Sequence, residues 1–258
     1  MTNVLAVIPA RLASTRLPRK VLLDKTGKPL IQHVWEGAKA CDAIDRIVVA
    51  TDAEEVMNAV KAFGGEAVMT SEACASGTDR VAEAASHYPD AEVIVNVQGD
   101  EPEMSPEPLY ALVEGMKANP SADMGTIAVP WPADVPLSEP GFVKVVTDKD
   151  GFALYFSRNA IPHYRDTPDV PPHEERDDGK PRYLKHVGLY AYRAPFLQEY
   201  AKMPQTPLEK AEALEQLRAL ENGKRIAVFV SRYTGYEVNT PADYEAFVER
   251  QKGLEPEA

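Results

Sequence analysis

The sequence has little cysteine: Cys41 and Cys74 are the only two among 258 residues. Their spacing fits no metal-binding motif, and a single pair cannot supply a disulfide framework. The five histidines are scattered and form neither HxH nor HExxH, which argues against a zinc hydrolase. No apolar run approaches the roughly 20 residues of a membrane span. Residues 4–8 run directly into a proline and an arginine, unlike a secretory signal, so we expect a cytoplasmic protein without membrane contacts.

Basic side chains are scarce relative to acidic ones, with 28 Lys and Arg against 40 Asp and Glu and a formal net charge of −12. This balance argues against a nucleic-acid partner, because nucleic-acid-binding surfaces are strongly basic. It leaves room for a small basic pocket. A chain of this length buries roughly 75% of its unfolded surface, enough for a core without disulfides or a structural metal. We expect a single domain over residues 1–258.

Three common catalytic signatures are missing. No GxGxxG follows the first predicted strand, which disfavours a dinucleotide-binding oxidoreductase. The GxxxxGK[ST] of a Walker loop and the GxSxG of a serine hydrolase are also absent.

The N-terminal half alternates apolar and amphipathic segments. Short apolar runs predict strands at 4–8, 46–51, 66–69 and 93–97, and helical periodicity predicts helices at 29–40, after Asp52, where Glu55 completes a capping box, and from about Asp79. This rhythm indicates right-handed crossovers and a mostly parallel sheet, hence the α/β class.

The middle of the chain follows another pattern. Strand-like runs at 125–130, 142–147, 152–157 and 183–192 lack long helices between them, and an Asp-Gly turn at 148–151 predicts a hairpin. We expect an antiparallel extension of the sheet in a subregion at about 125–200, a common place for a dimer contact. The proline-rich, charged residues 166–181 predict a mobile loop. A helix at 207–221, a strand at 225–230 and a last helix beginning at Thr240-Pro241 follow.

The loop after the first strand concentrates positive charge in an otherwise acidic chain. It carries Arg11, Arg16, Arg19 and Lys20. The loop leaving the first strand of a parallel sheet opens onto the ligand crevice, and guanidinium and ammonium groups suit a polyphosphate. The alternative is a solvated basic loop.

A carboxylate follows the last strand of the N-terminal half. Asp100, in Gln98-Gly-Asp-Glu-Pro102, is expected to face the same crevice, where it would suit Mg²⁺ bound to a triphosphate. The alternative is a turn or helix cap before the proline. Glu101 is expected to face solvent. The Ser76–Arg80 turn offers backbone N–H groups to a ligand, although simple capping by Thr78 explains it equally well.

Six segments together resemble the 3-deoxy-manno-octulosonate (Kdo) cytidylyltransferases, also called CMP-Kdo synthetases. They are Ile8–Pro18, Ser76–Arg80, Asn96–Pro102, Ala153–Arg158, His186–Tyr190 and Leu214–Arg218. The matches run in order from about residue 4 to residue 250. The last three segments are more specific to the Kdo branch than the others.

The resemblance implies a three-layer, Rossmann-like (GT-A-like) nucleotidyltransferase fold and a homodimer. The implied reaction transfers CMP from CTP to Kdo, an acidic eight-carbon sugar, and releases pyrophosphate, with Mg²⁺ as cofactor, for lipopolysaccharide synthesis. The implied catalytic residues are Arg11, Lys20 and Asp100. Those around the nucleotide are Ala10, Arg11, Ser14, Arg16, Lys20, Ser76, Gly77, Arg80 and Gln98. Those holding the sugar acid are Arg158, His186, Tyr190, Glu215 and Gln216, with sugar binding and dimerisation placed in the subregion at about 125–200. Arg158, His186, Glu215 and Gln216 each also have an ordinary structural explanation.

Two positions depart from the family pattern. Asn239 stands where the family's Val-Asp-Thr-Pro-Glu-Asp motif has its first aspartate, the expected second metal carboxylate besides Asp100. An amide oxygen can ligate Mg²⁺ but brings no charge, so we expect either weaker metal binding or a metal held chiefly by Asp100 and CTP. Arg19 replaces the glycine usual before the lysine.

Two alternatives remain at this point. A related enzyme could act on another acidic sugar, such as an amino-substituted Kdo or a sialic-type acid. A module that binds CTP without turning it over would explain Asn239, although it would not need the sugar-binding residues.

Overall fold

The computed structural model describes residues 2–13, 16–233 and 235–253. The strands are β1 (Val4–Pro9), β2 (Arg46–Thr51), β3 (Glu66–Met69), β4 (Val93–Asn96), β5 (Met124–Pro130), β6 (Lys144–Thr147), β7 (Ala153–Ser157), β8 (Leu184–Arg193) and β9 (Ile226–Val230). The helices are α1 (Leu30–Lys39), α2 (Glu54–Ala62), α3 (Gly77–Ala85), α4 (Pro106–Ala118), α5 (Ala194–Tyr200), α6 (Pro207–Glu212), α7 (Leu217–Glu221) and α8 (Pro241–Lys252), with a 3₁₀ helix at Lys20–Leu22.

These elements form two compact units. The first unit comprises residues up to 110 together with those after 233, and the second comprises 111–233. Mostly parallel strands with some antiparallel pairs confirm the predicted α/β class. The single domain over 1–258 stays a prediction.

The strands of the first unit are parallel and hydrogen-bonded in the order β3–β2–β1–β4. Residues 4–8 of β1 are at most 1% exposed, which explains their continuous apolar run: a strand covered on both faces has no polar alternation. Val7 of β1 lies opposite Asn96 of β4. The loops that leave these two strands therefore begin side by side, where parallel sheets bind ligands.

Helix α8 anchors the basic loop that follows β1. Leu17 of that loop is buried in a cluster with residues of α1 and α8 and the segment before α8, namely Leu30, Val238, Tyr244, Phe247 and Val248. Thr240 caps α8 in a capping box with Asp243, and Pro241 occupies the first turn, as the sequence predicts.

The second unit contains the predicted antiparallel strands. β5 pairs antiparallel with β8 and parallel with β9, and β6 pairs antiparallel with β7 and β8. The turn between β6 and β7 contains Gly151 at φ 84°, a conformation that suits glycine. Residues 166–181 form turns and bends with an isolated bridge, confirming that they provide no core element.

Three local predictions are wrong. The N-cap of α2 is Ala53, and the Asp52 carboxylate instead accepts a hydrogen bond from Arg80 at 2.6 Å. Helix α3 is capped by Ser76 rather than by Thr78. The single helix predicted at 207–221 is two helices, because Ala213 adopts a left-handed conformation at φ 52° and ends α6.

Helices α4 and α5 were not predicted. The first has a clear signal in the sequence, since Leu109, Leu112, Val113 and Met116 follow the i, i+3, i+4, i+7 spacing and are fully buried.

Candidate active site

The first unit contains a cavity of about 400 Å³ where β1 and β4 end. It is lined by Pro9, Arg11, Ala13, Arg16, Lys20, Val21, Gly77, Gln98, Gly99 and Asp100. The basic loop and the segment after β4 thus meet at one site, as the sequence predicts from strand order. Ala10 lies beside it and is fully buried. Ser14 lies outside the described residues.

Lys20 and Asp100 form the central ion pair of this cavity. The Lys20 Nζ donates a hydrogen bond to Asp100 Oδ2 at 2.9 Å, and the two side chains are 13% and 28% exposed. Because both side chains are partly exposed to water, either can leave the other and bind a ligand at a modest cost in free energy.

Glu101, the residue after Asp100, is buried instead of exposed. Glu101 is only 4% exposed, so the prediction that it faces solvent is wrong. Alternation of polar and apolar residues predicts burial only within a strand. The chain turns at Glu101, so this pattern could not predict that the side chain is buried.

Gly99 fixes the path of the chain between β4 and Asp100. A Cβ atom at this position would lie 2.6 Å from the carbonyl oxygen of Pro9. No side chain fits at that distance unless the end of β1 moves.

We therefore expect Gly99→Ala to destabilise the protein by about 1–3 kcal/mol, the usual cost of overpacking, and to reduce activity by displacing Asp100. Urea unfolding measures the first effect. Gly188→Ala is the control, since no described atom lies within 4 Å of a Cβ built there. Equal stability of the two variants would contradict this account.

Arg11 lies between the cavity and the segment that precedes α3. Its Nη2 donates to the carbonyl oxygen of Cys74 at 2.7 Å, which holds the guanidinium at the cavity wall. Burial and the Glu83 carboxylate raise the pKa of the Cys74 thiol to about 11, so this thiol is neutral and no nucleophile at pH 7.

Arg80 is fully buried and supports the start of α3. Its guanidinium donates to Thr70 Oγ1 at 2.5 Å and to Asp52 Oδ2 at 2.6 Å, while Nε has no hydrogen-bond partner among the described residues. Arg80 lies in the first turn of α3, which Ser76 caps. Contact of this turn and of Arg80 with a nucleotide stays a prediction.

The second unit brings most of the predicted sugar-binding residues together. The rings of His186 and Tyr190 lie 5.4 Å apart, and the Tyr190 hydroxyl donates to Gln216 Oε1 at 3.1 Å. Gln216 is 2% exposed, and its Nε2 has no hydrogen-bond partner among the described residues. Glu215 adjoins this group, and its carbonyl oxygen accepts a hydrogen bond from Tyr200.

The hydrogen bonds of Thr126 favour one tautomer of His186. The Thr126 hydroxyl lies within reach of two carbonyl oxygens, Leu189 at 2.8 Å and Val187 at 3.2 Å, which can only accept its single hydrogen. This arrangement favours the tautomer in which His186 Nε2, at 2.9 Å, donates to the hydroxyl oxygen. In that tautomer the neutral ring carries its proton on Nε2, and Nδ1 is an acceptor.

Arg158 is held by main-chain oxygens. Its guanidinium donates to the carbonyls of Glu212 at 2.7 Å, Pro140 at 2.9 Å and Ala213 at 3.3 Å. It thereby fixes the C-terminal end of α6 at Glu212 and its cap Ala213, which lies two residues before Glu215. Binding of a sugar carboxylate by Arg158 stays a prediction, and this geometry favours a positioning role.

Burial lowers the pKa of His186 from 6.5 to about 3. As the pH falls below 6.5, His186 becomes protonated in the unfolded chain but stays neutral in the folded protein. The free energy of unfolding therefore falls with pH until about pH 3. We expect His186→Gln to lose less stability than the wild type between pH 6.5 and pH 4. Urea titrations at several pH values test this, and parallel profiles would contradict it.

Comparison with known proteins identifies the family. A family profile described as Cytidylyltransferase matches residues 5–226. A 3-deoxy-manno-octulosonate cytidylyltransferase of Geobacter sulfurreducens is 47% identical over 250 residues, which cover 97% of this chain and 100% of that protein. The chain belongs to the 3-deoxy-manno-octulosonate cytidylyltransferase family. It is therefore a nucleotidyltransferase.

Other relatives agree with this family. The Synechococcus elongatus enzyme of the same name is 47% identical and covers 95% of this chain and 96% of its own. A solved structure of CMP:2-keto-3-deoxy-manno-octonic acid synthetase complexed with CTP has a TM-score of 0.89 at 41% identity, covering 98% of this chain and 100% of that one. A cytidylyltransferase of Leptospira borgpetersenii has a TM-score of 0.63 at 16% identity, covers 99% of this chain and 89% of its own, and shares the fold.

Asn239, where the resemblance implies a metal-binding aspartate, is hydrogen-bonded to Arg16, which lines the cavity. Asn239 Oδ1 accepts a hydrogen bond from Arg16 Nη2 at 2.9 Å. Asp243 cannot replace the missing carboxylate, because its Oδ2 accepts the backbone N–H groups of Asn239 and Thr240 in the cap of α8. These hydrogen bonds lower the pKa of Asp243.

The donor set suits Mg²⁺ bound together with phosphates. Asp100 and Asn239 offer hard oxygen atoms, and each oxygen already accepts from a cationic side chain, Lys20 and Arg16 respectively. Within residues 2–13, 16–233 and 235–253, no group of three or more His, Cys, Asp or Glu side chains is placed to hold a metal ion. A magnesium ion held by Asp100 and Asn239 would therefore need oxygens from a ligand as well.

The second family departure is explained by backbone conformation. Arg19 adopts a left-handed conformation at φ 57°, which favours glycine, and its guanidinium is paired with Glu55. The loop thus keeps a course that suits glycine although an arginine stands there.

Proposed function

We propose that this enzyme transfers CMP from CTP to the anomeric hydroxyl of Kdo, giving CMP-Kdo and pyrophosphate. The observation that carries the proposal is the convergence of Arg11, Arg16, Lys20 and Asp100 on the cavity where β1 and β4 end. The substrates are inferred from the relatives, which are named Kdo cytidylyltransferases. One related solved structure is complexed with CTP.

Positioning and charge neutralisation account for most of the chemistry. The anomeric oxygen attacks the α-phosphorus of CTP while pyrophosphate leaves in line, and negative charge develops on the phosphate oxygens. Arg11 at the cavity wall, Arg16 at its edge and Lys20 at its centre supply fixed positive charge where that charge develops.

Asp100 and Asn239 would hold Mg²⁺ together with the CTP phosphates. When bound, the metal neutralises phosphate charge and orients the α-phosphorus. Lys20 and Arg16, which donate hydrogen bonds to these oxygens, would then be available to phosphate oxygens.

The sugar acid is assigned to the group in the second unit around His186. His186 is neutral at pH 7 and presents Nδ1 as an acceptor, whereas Gln216 Nε2 is a buried donor without a protein partner among the described residues. One acceptor and one donor in a buried polar group suit adjacent sugar hydroxyls.

Further expectations belong to the same proposal. A homodimer, a cytoplasmic location and a role in supplying CMP-Kdo to lipopolysaccharide synthesis follow from the family. Among the helices described for residues 2–13, 16–233 and 235–253, none is long and apolar enough to cross a membrane.

An acceptor series tests the substrate. With CTP and Mg²⁺ in excess, kcat/KM is measured for Kdo, an amino-substituted Kdo and a sialic-type acid. The proposal expects Kdo to be used with the highest kcat/KM. A higher kcat/KM for either of the other acids would mean that the enzyme is a cytidylyltransferase whose acceptor is not Kdo.

A further inference from the structure

Glu237 is held against the residue that departs from the family's metal motif. The Nδ2 of Asn239 donates a hydrogen bond to Glu237 Oε2 at 2.7 Å. The same side chain accepts from Arg16 through Oδ1 at 2.9 Å. The amide of Asn239 thus lies between a carboxylate and a guanidinium.

These two partners define the orientation of the amide. A carboxylate only accepts hydrogen bonds and a guanidinium only donates them, so Nδ2 must face Glu237 and Oδ1 must face Arg16. The reverse orientation would place an N–H group against Arg16 and an oxygen against Glu237. Glu237 therefore keeps the Asn239 oxygen directed toward a positive partner.

The backbone brings this carboxylate to the level of Asp100. The N–H group of Val238 donates to the carbonyl oxygen of Asp100 at 2.8 Å, and the Val238 side chain is fully buried in the cluster with α8. The side chains of Glu237 and Asn239, on either side of Val238, are hydrogen-bonded to each other. Glu237 and Asn239 consequently share one face of the segment beside Asp100.

The negative charge of Glu237 bears on metal binding at this site. The change from aspartate to Asn239 removes one negative charge from a site that already contains Arg11, Arg16 and Lys20. These positive side chains oppose a divalent cation, and each carboxylate close to the site offsets part of that repulsion. Glu237 returns one negative charge next to the amide that has lost it.

We propose that Glu237 is a positioning residue of the metal site: it directs the Asn239 oxygen toward the cation and supplies the charge that residue 239 lacks. This inference rests on the proposed function, because it concerns the metal that accompanies CTP. Asp100 and Glu237 would together supply the two negative charges that the resemblance implies for Asp100 and an aspartate at position 239.

Metal binding to Glu237→Gln tests the charge. Glutamine keeps the size and an acceptor oxygen for Asn239 but removes the charge. Mn²⁺ binding to the protein–CTP complex is followed by the loss of the free-ion EPR signal, with CTP alone as the baseline. We expect the Mn²⁺ affinity of Glu237→Gln to fall about 10-fold, as when an outer ligand of a metal site is lost.

Glu245→Gln is the matched control. Glu245 is an exposed carboxylate of the same unit, paired with Lys25 and away from the cavity residues. The control removes the same charge and should leave the Mn²⁺ affinity unchanged within about twofold.

Asn239→Asp provides a rescue that a merely structural role would not show. With Glu237 present, the added carboxylate should raise the Mn²⁺ affinity by less than about threefold, because like charges then adjoin. In the Glu237→Gln background it should restore wild-type affinity, a gain of about 10-fold.

The outcomes separate this inference from the proposed function. Failure of the wild-type protein to bind CTP in calorimetry would overturn the proposed function. Normal binding of CTP and Mn²⁺ with equal affinities in Glu237→Gln and Glu245→Gln would overturn the role of Glu237 alone. Equal gains from Asn239→Asp in both backgrounds would do the same.

Discussion

Replacing Lys20 with methionine is expected to lower kcat/KM for CTP by about 10²–10³, the cost of losing one preorganised group that stabilises developing charge. Lys20 is largely buried, and its Nζ lies 2.9 Å from Asp100 at the centre of the cavity. Methionine keeps the apolar stem and removes the charge. The loss should therefore affect CTP binding and turnover rather than folding.

Lys28→Met is the matched control, because Lys28 is exposed and paired with Glu36 outside the cavity. Its kcat/KM should stay within about twofold of the wild type. If Lys20→Met retained wild-type kcat/KM while both variants unfolded at the same urea concentration, the assignment of Lys20 to the phosphates would be wrong.

Asp100→Asn is expected to lower kcat by about 10²–10³ and to raise the Mg²⁺ concentration at half-maximal rate, because it removes the charge of the carboxylate that we propose as a metal ligand. Binding of CTP without Mg²⁺ should not weaken. The ammonium group of Lys20 loses its intramolecular partner in this variant and becomes free for phosphate.

The two variants therefore have opposite signatures. Calorimetry of CTP without Mg²⁺ should show weaker binding for Lys20→Met and equal or tighter binding for Asp100→Asn. Weaker metal-free CTP binding in Asp100→Asn would mean that Asp100 contacts the nucleotide directly, and the assignment of this carboxylate to Mg²⁺ would not stand.

Strand order made the cavity predictable from the sequence. The apolar run before Pro9 and the run before Gln98 could be assigned to parallel strands, and the carboxyl ends of adjacent parallel strands share one edge of a sheet. The charges on the two following segments then had to meet. The Lys20–Asp100 ion pair is the result.

Contacts between distant residues could not be predicted in this way. The pairing of Arg80 with Asp52 joins residues 28 positions apart, and each residue alone fits a more local explanation. In the sequence Asp52 resembles a helix cap, but in the structure its carboxylate accepts a hydrogen bond from Arg80. The main-chain contacts of Arg158 are similar, since a sequence does not show which carbonyl oxygens an irregular segment turns inward.

Backbone conformation explains the remaining differences. Ala213 adopts a left-handed conformation that few non-glycine residues adopt, so helical periodicity over 207–221 predicted one helix where two exist. The same property at Arg19 shows that the loop retains its course although the glycine usual in the family is absent.

Pyrophosphate release measured with CTP and Mg²⁺, with and without Kdo, tests the central claim most directly. The account predicts release only when CTP and Kdo are both present, and none when ATP replaces CTP. Such a result would also show that Asn239 is compatible with turnover. Binding of CTP without pyrophosphate release in the presence of Kdo would contradict the proposed reaction.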